Sequence, residues 1–542
     1  MEQVDADGND DCDIVILPPT SSHLDVSDEE EDDGVLDQDW QPTEVAGEIE
    51  VHNNSFDEEE SICADSGKRW RKNEELSLVS HVVPSPSDAM QQHANKDIYE
   101  IFELFLTPEI IEFITEQTNL YAKRDKNEQN FSVDMEEMSR FIGLLLISGY
   151  HSLPRENDYW STSSSREAPI FPKTMSRERF KTIKRFLHVA DNQRLTSSKV
   201  AKVEPLFEKL KKQCQQFGVF DEFISIDESM IPYRGLHSAR QFIRNKPIRF
   251  GYKVWMLCGS TGFPYNFEIY CGKQSDRKTP LGQYVVDKML TPITNKNCHV
   301  VFFDNFFTSY QLMSDLASKG IRACGTVREN RIGHCPLRSS KEIQKQPRGT
   351  FDYRSDGTVI CMKWNDNRAV TVASNYYGVT PLHKAERRVK NEARKIVSQP
   401  RAICMYNQGM GGVDLCDRQL ASYRPRLRAR KWWWNLFAHA LNLAVVAAHE
   451  FYNHIHPANK KDHHEFRVTV AETLVKRQSS RVRMGGPTAP APPAVQYDGI
   501  NHYLVPCRQG RCVVCSKNTR LKCEKCEKRL HKTECNDKFH TK

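Results

Sequence analysis

No lysine or arginine occurs in the first 67 residues, which carry 23 Asp and Glu. Charge of one sign with so little apolar periodicity excludes a packed core, and residues 1–95 are expected to be disordered. Nowhere does the chain approach the ~18 consecutive apolar residues of a membrane span. Its acidic start also lacks the positive n-region of a secretory signal, so a soluble protein inside the cell is expected. The cysteines lack a disulfide framework: 11 of the 17 are scattered through residues 12–416. The other six crowd into residues 507–535 beside histidines, which favours metal ligation in a reducing compartment.

Beyond the acidic tail, the remaining chain holds 76 Lys and Arg against 48 acids, a net of +28. That exceeds what solubility requires and implies a polyanionic partner, most simply nucleic acid. The tail itself has two exceptions. In "DCDIVILPP", Ile14–Leu17 form a β-prone patch suited to adding a strand to a partner's sheet edge, and it resembles a SUMO-interacting motif. "KRWRK" (Lys68–Lys72) reads as a nuclear-import signal or a plain basic spot.

At 542 residues several domains are expected. Helices dominate from residue 96: Thr107-Pro108 opens one, Ser132 a second and Ser176 a third. The third places Phe180, Ile183 and Leu187 on one face and leaves Arg177, Lys181, Lys184 and Arg185 to face out. Near residue 223 the texture changes. "FISIDESMIPY" reads as a strand, and "GYKVWMLCGSTGFPYNFEIYCGK" as a hairpin turning at Ser260–Gly262. A strand ending at Asp304, a helix from Ser309 and the strand "IRACGTV" complete a mixed α/β layer. Residues 351–374 read as a second, self-contained β-rich stretch. Helices resume near Val413, break at Pro425 and run on beyond Trp432, and "GGPTAPAPP" is a stiff linker to the Cys-rich end.

Three acids sit where folding can gather them. Asp227 follows alternating apolar residues within its strand, Asp304 ends an apolar strand, and Asp414 starts a glycine-introduced helix with Asp417 one turn on. Taken singly, an acid in such a place is more often a helix cap or a structural ion-pair member. Together they would form an oxygen-rich pocket suited to Mg²⁺ or Mn²⁺, and a pair of such ions activates the attacking oxygen and stabilises the leaving oxygen of a phosphodiester.

In order along the chain, "SIDESMIPYRG", "KPIRFGYKVW", "FFDNFFTS", "GTVREN", "YNQGMGGVDLCDRQLASYR" and a terminal Cys/His cluster resemble piggyBac-type transposases and piggyBac transposable element-derived proteins. The resemblance runs from about residue 96 to the C-terminus. It implies an RNase H-like core whose aspartate triad falls on Asp227, Asp304 and Asp414, with Asp417 in support, acting with Mg²⁺ or Mn²⁺. The implied domains are an acidic tail (1–95), a helical dimerisation and DNA-binding domain (96–222 and 425–484), the core (223–330 and 402–424), an insertion domain (331–401), a linker (485–505) and a Cys/His zinc domain (506–542). The implied chemistry is strand transfer: cleavage beside an element's end, attack of the freed 3′-hydroxyl on the other strand to form a hairpin, then attack on target DNA at TTAA. Double-stranded DNA, a second copy of the chain and a nuclear location follow from the same resemblance.

A basic run, Arg424, Arg426, Arg428, Arg430 and Lys431, leads into Trp432–Trp434. Such cations neutralise phosphates, and an indole stacks on an unpaired base. Two of the three tryptophans are expected in the core, with Trp432, at the family's Arg/Lys-Trp position, left for a base. At the C-terminus Cys512, Cys515, Cys523, Cys526, His531, Cys535 and His540 form a strong zinc signal. Seven ligands are one short of two tetrahedral sites. Cys507 is the nearest spare, but the family pattern starts at Cys512, so a cross-braced pair with an unusual or water-completed second site is expected. The resemblance implies that this module binds terminal DNA; a RING- or PHD-like shape would instead bind protein or histone. Two functions stay open: an Mg²⁺-dependent transposase or derived nuclease, and a domesticated nuclear factor that binds DNA or chromatin without cutting. A ubiquitin-ligase-like reading leaves the acids and the basic body unexplained.

Overall fold

The computed structural model describes residues 12–16, 49–53, 69–74, 76, 88–243, 248–272, 279–387, 395–477, 496–497, 499 and 501–541. The chain divides into two units, Met1–Gln478 and Ser479–Lys542. Most of the acidic tail and the expected linker Gly485–Pro493 lie outside the described residues. Within the tail, strand β1 (Cys12–Ile16) pairs antiparallel with β2 (Ile49–Asn53). The β-prone patch is therefore a strand up to Ile16, paired within the chain. Residues 69–74 also pack: Arg71 exchanges two backbone hydrogen bonds with Ser355 at 2.7 and 2.8 Å, and Trp70 meets Tyr310 edge-on at 5.7 Å. Disorder throughout 1–95 is thus too broad an expectation. No helix among the described residues is long and apolar enough to cross a membrane.

A nine-stranded sheet organises the first unit. Its strands are β3 (Phe223–Pro232), β4 (Gln241–Phe242), β5 (Phe250–Gly259), β6 (Pro264–Ile269), β7 (Val300–Phe303), β8 (Arg322–Thr326), β9 (Phe351–Ser355), β10 (Ile360–Asn365) and β11 (Ala369–Ser374). The order is β4-β5-β3-β7-β8-β11-β10-β9, with β6 also on β5. β7 lies parallel to both β3 and β8, and its four residues are fully buried, as a strand covered on both faces must be. The helix Tyr310–Ser318, capped by Ser309, carries the chain from β7 to the parallel β8.

Two expectations are corrected here. Residues 351–374 are not self-contained: β11 pairs with β8 (Ala373 opposite Gly325), so β9–β11 extend the core sheet. The expected insertion 331–401 shares a core with that sheet because β10 is buried along its whole length and needs cover on both faces. Ile360, Met362 and Trp364 cluster with Phe302 of β7 and with Ala402 and Ile403 of the helix Arg401–Gly409. Among the described residues of this span, only the ribbon β12 (His383–Arg387) and β13 (Lys395–Gln399) pairs outside the sheet.

The helical body packs around the apolar helix Trp434–Ile455. Asp134, not Ser132, caps the second helix, Met135–Tyr150, accepting from the Glu137 amide at 2.7 Å. Ser176 caps Arg177–Phe186 as expected, but Lys184 is buried against Glu156 rather than facing out. Trp433 and Trp434 are core residues, at 0% and 1% exposure. Lys431 is corrected too. It is 4% exposed, and its ammonium donates to the carbonyls of Lys184, Arg185 and Leu187 at 2.9, 2.7 and 3.0 Å. A cation at those last carbonyls satisfies orphan acceptors and the negative end of the helix dipole, so it is unavailable to a phosphate. Replacing Lys431 with Ala is expected to destabilise the protein by roughly 2–3 kcal/mol, read as a lower urea midpoint. An unchanged midpoint would mean that these carbonyls do not need the ammonium.

Candidate active site and nucleic-acid interface

The parallel register pairs Ile226 of β3 with Phe303 of β7, so the next residues, Asp227 and Asp304, stand side by side where β7 ends. Asp227 is buried, and its carboxylate accepts from the Glu228 amide at 2.8 Å. Asp304 is half-buried and opens the turn after β7: its carboxylate accepts from the Phe306 amide at 3.0 Å, and its carbonyl from the Thr308 hydroxyl at 2.7 Å.

The other acids arrive on the helix Gly412–Ser422. Gly411 enters it at φ +116, a conformation that glycine adopts without steric cost. A Cβ on Gly412 would lie 2.2 Å from the Gly259 carbonyl and 2.8 Å from the Ser225 hydroxyl, so the helix start rests directly on the sheet. One turn further, the Ser229 hydroxyl donates to Asp417. Ser225 and Ser229 flank Asp227 and share its face of β3. The two anchors therefore lay the first turn of the helix along the strand over Asp227. Asp414, exposed, lies between them on the Asp417 side of the helix.

The donor set is all carboxylate oxygen, which suits a hard divalent cation. These acids are not among the groups whose ligand atoms all lie within 4.8 Å of one another. That spacing is a single-ion criterion, whereas ions ~3.5–4 Å apart take carboxylates spread over a wider pocket. Tyr406, on the helix Arg401–Gly409, is a residue that sequence reasoning missed. Burial pushes its phenol up and the Thr326 hydroxyl at 3.4 Å opposes this, while the charges of Asp304 and, less strongly, Asp227 add to the rise. It lay inside the quoted "YNQGMGGVD" stretch, but nothing in its spacing pointed to the acids.

Residues 423–433 link two helices in irregular conformation. Arg426, Arg428 and Arg430 are exposed and alternate with half-buried Pro425, buried Leu427 and half-buried Ala429, so the three arginines share an outer side. The Arg426 amide donates to Ser148 and the Leu427 carbonyl accepts from Trp434, which fixes the segment. Arg424 is half-buried; burial lowers its pKa while Asp417 opposes the shift. Half-buried Trp432 stacks on His237, with ring centroids 3.8 Å apart.

In the second unit, β14 (Leu504–Arg511) pairs with β15 (Asn518–Cys523). Two groups of four potential ligands form there, each with all ligand atoms within 4.8 Å: Cys512, Cys515, His531 and Cys535, and His502, Cys523, Cys526 and His540. Cys–His separations are 3.3 Å (Cys515–His531), 3.5 Å (Cys523–His502) and 3.4 Å (Cys526–His502). Bonds of ~2.0–2.3 Å in a tetrahedron require about such separations. The expected water-completed site is corrected: His502, upstream of the cysteine run, supplies an eighth potential ligand, and Cys507 belongs to neither group. The signal was one histidine ten residues before Cys512, outside the C-x₂-C spacing.

Gly412→Ala is expected to cost about 1–3 kcal/mol, because its methyl group meets backbone that cannot yield. Thermal unfolding checks this, and a melting temperature equal to the parent's would refute the close seating of the helix.

A family model described as transposase IS4 matches residues 97–449. The human piggyBac transposable element-derived protein 3 is 38% identical over 457 residues, 82% of this chain and 76% of that protein. The human piggyBac transposable element-derived protein 2 is 33% identical over 425 residues, 77% of this chain and 72% of that protein. In fold, the chain is similar to a piggyBac transposase solved by cryo-EM in a synaptic complex with hairpin DNA. The TM-score is 0.62 at 22% identity, covering 81% of this chain and 97% of that one. With the motifs in order and the match spanning sheet and helices alike, the chain belongs to the piggyBac transposase family.

Proposed function

We propose that the protein cuts and transfers DNA strands at Asp227, Asp304 and Asp414, acting in the nucleus as a homodimer on element ends and on TTAA targets. The observation that carries this reading is the juxtaposition of Asp227, within β3, and Asp304, just past the end of the neighbouring β7, beneath a glycine-seated helix bearing Asp414 and Asp417. The order β6-β5-β3-β7-β8, with β3, β7 and β8 parallel, supports an RNase H-like core. Asp227, Asp304 and Asp414 would hold Mg²⁺ or Mn²⁺, which when bound supplies Lewis-acid stabilisation of the attacking and leaving oxygens. Asp417, bonded to Ser229, positions the helix. Arg426, Arg428 and Arg430 hold phosphates while Trp432 stacks on an unpaired base. The terminal unit binds two Zn²⁺ ions and recognises DNA ends. The β-prone patch and the terminal unit are also the surfaces offered for SUMO-type or chromatin-protein contacts.

The second reading, a DNA- or chromatin-binding protein without transposition, is favoured by one observation: the human relatives are named as transposable element-derived. Asp304→Asn separates the two. It is expected to leave DNA retention in a gel shift within about twofold of the parent, since the acid adds no positive charge to the phosphate contacts. It should abolish Mg²⁺-dependent nicking of the same DNA. Nicking by the variant at the parent's rate would remove the catalytic assignment; a parent that nicks no candidate end leaves the binding reading. Zinc content tests the terminal unit. Two equivalents per chain are expected for the parent and for Cys507→Ala, and fewer for His502→Ala. Two tightly held equivalents in His502→Ala would take that histidine out of the ligand set.

A further inference from the structure

His237 lies in the loop between β3 and β4, in a stretch that no motif singled out. Its imidazole lies against the Trp432 indole at 3.8 Å between centroids and 18° between planes. The contact is held from both sides. His237 Nδ1 accepts from the Ala239 amide at 3.2 Å, and the ring is also hydrogen-bonded to the Lys199 backbone. Burial, with Lys199 beside it, lowers its pKa to about 4, so the ring is neutral at physiological pH. Trp432 is fixed in turn: its carbonyl accepts from Tyr252 at 3.2 Å, and Tyr252 is fully buried and stacked on Tyr233 at 5.0 Å. Leu236, the neighbour of His237, is 50% exposed, an apolar side chain of the kind that wedges between base steps. Pro232, where the loop leaves β3, is five residues beyond Asp227, about 17 Å along a strand. Stacked nucleotides rise ~3.4 Å each, so that distance spans about five of them.

We infer that His237 is a positioning residue that backs the Trp432 indole, so that one unpaired base of a distorted or hairpin DNA end stacks within a few nucleotides of the acids. An exposed indole on an irregular segment has rotamers to lose on binding. Stacked on the imidazole, with its backbone carbonyl tied to Tyr252, the Trp432 indole has lost much of that freedom beforehand, which favours a stacked base over a paired one. The inference rests on the DNA-processing reading above.

The test uses the full chain and two oligonucleotides: a hairpin with 2-aminopurine in an unpaired tip, and a blunt duplex of the same stem. The parent is expected to prefer the hairpin and to quench the 2-aminopurine. His237→Ala should lower the hairpin preference by roughly tenfold and remove the quench while duplex affinity holds. His237→Phe, which restores a flat ring, should regain most of both. Trp432→Ala should lose as much, and the double variant His237→Ala/Trp432→Ala no more than either, because the two act as one unit. Equal loss of duplex and hairpin binding in His237→Ala would overturn the proposal. So would a full hairpin preference in that variant, or a His237→Phe variant that folds but stays as defective. A parent that binds duplex and hairpin alike, with no quench, removes this inference and leaves DNA binding standing. A parent that binds neither removes the DNA reading itself.

Discussion

The parallel pairing of β3 with β7 is the constraint on which the rest of the site depends. Each acid follows apolar residues, and the two carboxylates can line one pocket only if the strand pairing brings them out at the same point. The register Ile226–Phe303 does this, and because side chains alternate along a strand, a slip of one residue would turn Asp304 to the opposite face. The slip is opposed by burial. Val300, Val301, Phe302 and Phe303 are fully buried on both faces, so each would have to exchange one packed environment for the other. The stability of the core and the placement of the acids are therefore the same interaction.

The third acid is held by a different means. A helix cannot lie against a strand at backbone distance if its first turn carries side chains, and Gly412 removes that obstacle where the Gly259 carbonyl comes closest. The Ser229–Asp417 hydrogen bond then fixes the rotation of the helix about its axis. Gly409 has a parallel role one helix earlier: a Cβ there would lie 2.1 Å from the Phe302 ring, so the helix bearing Tyr406 is pressed onto β7 as well. Two glycine contacts thus bring two successive helices onto the face of the sheet that bears the acids.

Features written in local chemistry were legible in the sequence. The starts at Ser176 and Ser309, the turn at Ser260–Gly262, the strand carrying Asp227, the strand end at Asp304, and the break before Trp434 needed only caps, alternation and glycine. Features decided by distant partners were not. Ser132 and Asp134 are both good caps two residues apart, and the backbone alone selects the second. Residues 351–374 alternate as a small sheet would, and only the pairing of β11 with β8 shows that they belong to the large one. Lys431 stands in a basic run and looks like its neighbours. What distinguishes it is the end of the Arg177–Phe186 helix, more than 240 positions upstream.

The terminal unit shows the same division in miniature, with a consequence for how it folds. Its ligands alternate along the chain: His502 belongs to one group, Cys512 and Cys515 to the other, Cys523 and Cys526 to the first, His531 and Cys535 to the second, and His540 again to the first. Neither group can close without drawing the chain that bears the other into place. The core available is small, chiefly four of the cysteines and Leu530, with Leu504 and Phe539 packed against it. Such a core cannot order about forty residues by burial alone, so metal held by the two groups would supply most of the folding free energy. Interleaving would then make two occupied sites one cooperative unit, in which losing either ion would loosen both. The sheet and its acids belong to the other unit and have a core of their own, so their folding does not rest on metal at the C-terminus.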